Sequence, residues 1–419
     1  MPMRGPGAPL IASRRLAAQS ALRVGLTETN WLALKTMRRP GLLGRSKGRV
    51  IGAGIGWRAA AAVTDAEISI CERLIAAFRA ATSGGDAQAA SGIWAWVMDE
   101  HQRQLIAALE RGDARNLAEL LAGMFRSEFI WGLGGMAPGG LPDHSESRLG
   151  SRILMLKLVD SLVSLGEALG VVPAENPEQG YMGHFDPMCE SALADLIKAL
   201  ERIVGARLTF PDIGAAYGLT VDGRLITPET PEQIYTAVRL AEAIGLHLHD
   251  RPGESLRMVE IGGGYGGACY WFLHSQQAVM RYTIVDLPTV NVLQGYFLAK
   301  AFGPTAVSFL GEPPARIAIL PNSALSEVET PYDVLLNKDS MPEMPYHTMV
   351  AYLDWARSRC EGFFYSNNHE ARAPFLEHPQ GRVADAIEHV GGFRRRAREQ
   401  SWVRPGYVEE IYATIDARG

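Results

Sequence analysis

The residues Val259-Glu260-Ile261-Gly262-Gly263-Gly264-Tyr265-Gly266-Gly267 constrain the fold more than any other stretch of the chain. Gly262, Gly264 and Gly267 satisfy G-x-G-x-x-G, with the apolar run 256–261 ahead of them as a strand and a helical stretch behind. A glycine turn in that setting belongs to an open α/β sheet, where missing side chains let a ligand approach the backbone. The residues downstream keep the same rhythm. The runs 256–261, 282–285, 306–310, 332–336 and 362–365 read as strands, with helices near 267–277, 289–302, 346–359 and 380–390 between them. Such alternation predicts right-handed parallel crossovers in a doubly wound sheet. The stretches 393–401 and 408–415 read as an antiparallel pair around Arg404-Pro405-Gly406, which makes seven strands.

Upstream the period changes. Ile68, Cys71, Leu74, Ile75 and Phe78 follow helical spacing, as do Ile93, Trp96 and Val97, then Ile106 and Leu109, then Leu154, Leu158, Leu162 and Leu165. Thr230-Pro231-Glu232-Gln233 reads as a capping box, with Thr230 as N-cap of a helix through Ile244. Two long loops, 132–150 and 172–187, interrupt the helices; the second carries Tyr181, His184 and Asp186, of which His184 is a candidate substrate contact. The expected organisation is a basic N-terminal arm over 1–62, a mostly helical substrate or oligomerisation region over 63–252, and a Rossmann-like domain over 253–419. A length of 419 residues agrees with two or three domains.

The formal net charge of -5 conceals an asymmetry. The first 60 residues hold eleven Lys or Arg and a single acid, Glu28, so a +10 arm precedes a -15 body. Such an arm can meet an anionic surface, yet it lacks interleaved aromatics or a reading module, so no nucleic-acid partner is expected. Within it Gly52-Ala53-Gly54-Ile55-Gly56 imitates a nucleotide loop without the flanking strands that one needs. No run of about 18 apolar residues occurs, so no transmembrane segment is expected. Cys71, Cys189, Cys269 and Cys360 lie far apart with no C-x-x-C spacing, which suits free buried thiols in a reducing cytoplasm.

Two acids narrow the ligand. Asp286 ends the second strand, 24 residues after Gly262, where a carboxylate accepts hydrogen bonds from ribose hydroxyls. Glu260 stands just before the glycines, where it would repel a pyrophosphate but attract the ammonium of a methionine moiety. The pair points to S-adenosylmethionine rather than a dinucleotide, with Leu287 and Tyr265 as apolar walls.

Glu260 to Gly267 followed by Asp286-Leu287-Pro288 resembles the class I S-adenosylmethionine-dependent methyltransferases over about 254–419. More narrowly, Val259 to Gly267, Val285 to Pro288, Asn337-Lys338-Asp339-Ser340-Met341-Pro342-Glu343-Met344 and Phe364-Tyr365-Ser366-Asn367-Asn368 together resemble the sugar O-methyltransferase family. Tyr217-Gly218-Leu219 through Ile226-Thr227 to Tyr235 and Ala237 extends the likeness, to about half the chain. The resemblance implies a Rossmann-like fold, the methyl donor and a hydroxyl acceptor; the spacing alone implies the first two.

In an open α/β sheet the ligand lies beyond the carboxyl ends of the strands. Asn337, Asp339 and Glu343 follow the fourth strand, and Asn367, Asn368, His369 and Glu370 the fifth, so both sets are expected near the transferred methyl group. Asn337 is assigned to the cofactor, and Asp339, Glu343 and His369 to the acceptor. His369 is a natural base near neutral pH, and Glu343 is the alternative if desolvation raises its pKa. Asp339, His369 and Glu370 are the candidates for a divalent cation, although Mg2+ is not expected. Trp94, Trp96, Phe125, Phe129 and Trp131 leave open a phenolic or polyketide acceptor, and a non-catalytic cofactor-binding protein is a further alternative.

Overall fold

The computed structural model describes residues 54–83, 92–133, 148–174, 190–249, 256–275, 279–372, 374 and 378–415. The helical part supplies α1 (Asp65–Thr82), α2 (Ile93–Glu100), α3 (Arg103–Arg111), α4 (Ala114–Ala122), α5 (Arg148–Ala168), α6 (Glu190–Val204) and α7 (Thr230–His247). A small antiparallel sheet joins β1 (Ile55–Trp57), β2 (Tyr217–Val221) and β3 (Arg224–Ile226). Residues 55–57, placed in the basic arm by the sequence, are thus a strand paired with β2, and the Trp57 ring meets Tyr217 edge-on at 5.1 Å. The rest of the imitation nucleotide loop, through Ala53, lies outside the described residues.

The α/β part runs β4 (Leu256–Ile261), α8 (Gly267–Ser275), β5 (Val279–Asp286), α9 (Pro288–Phe302), β6 (Val307–Phe309), β7 (Ile317–Pro321), β8 (Tyr332–Lys338), α10 (Tyr346–Arg357), β9 (Cys360–His369), α11 (Val383–Val390), β10 (Phe393–Gln400) and β11 (Tyr407–Thr414). Its sheet has the order β10-β11-β9-β8-β4-β5-β7-β6. All strands are parallel except β11, which pairs antiparallel with both β9 and β10. This is a Rossmann-like α/β fold, with eight strands where seven were expected. The additional strand is β7, five buried residues read as Ile-Ala-Ile-Leu-Pro, inserted between β5 and the edge strand β6. A fully buried strand has no polar alternation, so periodicity does not reveal one this short.

One hydrophobic core runs through both parts: Leu74, Leu121, Leu162 and Leu240 of the helices share it with Trp271, Tyr282 and Phe297 of the α/β unit. A second cluster on the other face of the sheet joins Val259, Leu335 and Phe364 to Leu353 and Ile387. Helix α7 packs against α8, which brings the helical part over the glycine turn. Its start differs from expectation. Glu229 is the N-cap and makes no side-chain cap bond, while the Thr230 hydroxyl turns back to accept from the Thr227 amide at 3.1 Å and pair with the Thr227 hydroxyl at 2.9 Å. Thr230 thus ties the preceding loop rather than capping the helix. The reciprocal box occurs instead on α1, between Thr64 and Glu67. Cys71, Cys269 and Cys360 are free and buried; Cys189 and the segment holding Tyr181, His184 and Asp186 lie outside the described residues.

Candidate active site

Strands β4, β5 and β8 end on one side of the sheet, and their ends open into a cavity of about 880 Å³. That is the size class of a site for a cofactor-sized ligand. Its floor is the turn after β4. Gly262 and Gly264 hold φ of +73° and +57°, a region that favours glycine. A Cβ on Gly262 would come within 2.0 Å of the Ser340 hydroxyl, so the turn and the loop after β8 approach as closely as backbone allows. Gly267 serves differently: it begins α8 and packs against Tyr265 and Gln233, which line the cavity while it does not.

Glu260, Asp286, Leu287, Asp339 and Glu343 all line the cavity, as do Gly262 and Gly264. Glu260 is 1% exposed and accepts from the Tyr282 hydroxyl at 2.9 Å. Desolvation pushes its carboxyl up to about 7 against that bond, and the Asp286 charge adds to the rise. Asp286 accepts from the Leu287 amide at 2.8 Å and the Gln294 side chain at 2.7 Å, yet burial also raises it to about 7. Two carboxyls beside one glycine turn, both raised by burial although the Lys338 charge partly offsets Glu260, fit a ligand that brings an ammonium and hydroxyl donors.

Tyr265 touches the cavity, but its ring belongs to a cluster with Phe125 and Phe297, each at 5.1 Å and edge-on. It is a core residue more than a wall. Asn337 is fully buried beneath the site. Its amide donates to the Ile261 carbonyl at 2.8 Å and to the Ser340 hydroxyl at 2.6 Å, so it latches β8 to β4 and does not line the cavity.

The opposite wall comes from three distant segments. Glu232 on α7 pairs with Lys338 at 2.7 Å and with Arg404 at 2.9 Å. Arg404 also reaches Asp339 at 2.5 Å and lies over the Tyr407 ring at 3.7 Å, while the Tyr407 hydroxyl donates to Asp339 at 2.5 Å. Burial opposes ionisation of Glu232, but Arg404 and Lys338 overcome it and hold the carboxyl down at about 2. Asp339 adopts φ +63°, a left-handed conformation that its two partners brace. Glu343 is half-buried four residues on. Desolvation, reinforced by the Asp339 charge, lifts it to about 8, against a hydrogen bond donated by Trp94.

The cluster expected after β9 does not reach the cavity. His369 stands edge-on to Tyr407 at 5.7 Å, and its Nδ1 accepts from the Ala371 amide at 3.2 Å. Burial lowers its pKa, with Arg404 adding to the effect and Asp339 opposing it. Glu370 is ion-paired with Arg382 at 2.8 Å and Arg398 at 2.7 Å. Asn367 and Asn368 are buried in the sheet. Among the described residues no group of three His, Cys, Asp or Glu could hold a metal ion.

Sequence reasoning missed Glu232, Lys338, Arg404, Tyr407 and Gln294 as site residues. The last three had no signal beyond ordinary turn, strand and helix residues. Lys338 stood inside the quoted Asn337 to Met344 stretch, and Glu232 inside the proposed cap.

No family model matches the chain, and no curated protein does. Among solved structures, the chain is similar to magnesium protoporphyrin IX methyltransferase from Synechocystis PCC 6803 with bound S-adenosylmethionine, at 13% identity and TM-score 0.32, covering 44% of this chain and 83% of that one. It is also similar to the mitomycin 7-O-methyltransferase, at 13% identity and TM-score 0.34, over 83% of this chain and 94% of that one. No helix among the described residues is long and apolar enough to cross a membrane.

Proposed function

We propose that the protein is an S-adenosylmethionine-dependent O-methyltransferase whose acceptor is a hydroxyl of a sugar or glycosylated small molecule. One observation carries the reading: Glu260 and Asp286 flank a glycine turn at the ends of adjacent parallel strands, in the same cavity as Glu343, whose carboxyl burial raises to about 8. When bound, S-adenosylmethionine supplies an electrophilic methyl group on a sulfonium. Glu260 holds the ammonium, Asp286 the ribose hydroxyls, and Gly262 and Gly264 admit the ligand against the backbone. In its ionised form Glu343 takes the proton from the acceptor hydroxyl as that oxygen bonds to the methyl carbon and the carbon–sulfur bond breaks, leaving the neutral thioether. His369 lies off the cavity and is the weaker base candidate.

The wall formed by Lys338, Glu232, Arg404 and Asp339 offers many hydrogen-bonding atoms, and Trp94 offers a flat apolar face. That mixture suits a polyhydroxylated ring. A phenolic acceptor would draw on aromatic walls, and of the five aromatics considered for it Trp94 lines the cavity, whereas Phe125 and Phe129 are buried core.

The test is transfer of labelled methyl from S-adenosylmethionine to a panel of free sugars, nucleotide-linked sugars and phenolic glycosides. Label should appear in a carbohydrate hydroxyl, and Glu343→Gln should reduce turnover by about 100-fold while leaving affinity for S-adenosylhomocysteine intact. Equal turnover by that variant would remove Glu343 as the base. Tight cofactor binding with no transfer across the panel would favour the non-catalytic alternative.

A further inference from the structure

Gln294 is a buried amide that touches both Asp286 and the glycine turn of the proposed cofactor site. It lies on α9, is fully buried, and donates from one nitrogen to Asp286 Oδ2 at 2.7 Å and to the Gly264 carbonyl at 3.0 Å. Its own oxygen accepts from Asn291 Nδ2 at 3.0 Å, one helical turn earlier. With two acceptors on the nitrogen and a donor on the oxygen, the amide has one orientation that satisfies all three partners. The Leu287 amide takes Asp286 Oδ1 at 2.8 Å, so the carboxylate is held at both oxygens and cannot swing about its last torsion. The Gly263 and Gly264 backbone also hydrogen-bonds to Asp286, and Asp286 lines the cavity.

From this we infer that Gln294 is a positioning residue that aims Asp286 at the ribose hydroxyls and fixes the glycine turn against it. The inference rests on the proposed cofactor. Sugar-hydroxyl recognition by a carboxylate depends on direction, because two hydroxyls must meet two oxygens at once. A carboxylate free to rotate would keep its charge but lose the pairing. Gln294 therefore sets discrimination for an intact ribose more than it sets bulk affinity.

Titrating the full chain with S-adenosylhomocysteine and with its 2′-deoxy analogue tests this. The unaltered protein should prefer the ribose form by about tenfold or more, the size of a hydrogen bond to a charged group. Gln294→Met keeps the shape without the amide and should lose most of that preference, with unfolding by urea used to show that it is folded. Gln294→Glu gives a second, independent sign. Protonated, the new carboxyl donates to Asp286 as the amide did; ionised, it repels Asp286. Its affinity for S-adenosylhomocysteine should fall as pH rises through neutrality, whereas that of the unaltered protein should rise as Asp286 ionises. An unchanged preference in Gln294→Met, or parallel pH trends in the two proteins, overturns the positioning role while leaving the methyl donor in place. Absence of S-adenosylhomocysteine binding by the unaltered protein overturns the donor assignment and the positioning role together.

Discussion

At the residue scale, the chemistry is divided between carboxyl groups that differ by environment rather than by kind. Glu232 is held near 2 by Arg404 and Lys338 despite its burial, whereas Glu343, desolvated and facing Asp339, is lifted to about 8. A base with raised pKa is active only once ionised, so turnover should increase as pH rises toward 8. Removing the neighbouring charge eases that ionisation. Asp339→Asn should therefore move the midpoint of the pH–rate profile downward, and an unmoved midpoint would show that Glu343 is not the titrating group. Glu260 and Asp286 were legible in the sequence because strand-end positions follow from the apolar runs that precede them. Arg404 and Tyr407 were not, because they reach Asp339 only through the β10–β11 hairpin, 65 and 68 residues away. His369 was misleading for the same reason: its place at the end of β9 was read correctly, but the side chain turns to Tyr407 and its own loop.

At the element scale, most strands and helices of the α/β part followed from alternation, and the misses have local causes. Strand β7 carries no period because both its faces are buried, and the start of α7 differs because the Thr230 hydroxyl is taken by Thr227. Helix α1 supplies the working capping box. The Glu67 carboxylate that closes it also meets Lys300 and accepts from the Tyr296 hydroxyl at 2.8 Å, which fastens α1 to α9. Thr64→Ala should cost about 1 kcal/mol, the usual worth of an N-cap. Glu67→Ala should cost about 3 kcal/mol at pH 7, because it strands a half-buried cation and a buried hydroxyl. Burial disfavours the Glu67 charge, yet Lys300 and Thr64 bring its pKa down to about 2. A depressed carboxylate stabilises above its ordinary 4.5 and loses that contribution as pH falls toward 2. Urea midpoints should thus separate Glu67→Ala from the unaltered protein most at pH 7 and draw together as pH falls toward 2. A constant gap would mean that packing, not charge, holds α1.

At the scale of the whole molecule, the helical part and the sheet share one core, and α7 contributes Glu232 and Gln233 directly to the cavity wall. The boundary read near residue 252 marks a change of period rather than a gap in the packing. The charge asymmetry has a similar limit: every residue given a chemical role lies in the acidic body, and of the described part of the arm, 54–62, residues 55–57 form a strand of the small sheet. The occupant of the cavity at the ends of β4, β5 and β8 decides the proposed function. Isothermal titration of the full chain with S-adenosylhomocysteine, with NAD as the competitor, and with Asp286→Ala as the control measures that directly. The predicted result is saturable binding of S-adenosylhomocysteine, weakened at least tenfold by Asp286→Ala, the scale of a lost charged hydrogen bond, with no heat from NAD. Binding of NAD in its place, or equal affinity of both proteins for S-adenosylhomocysteine, would contradict it.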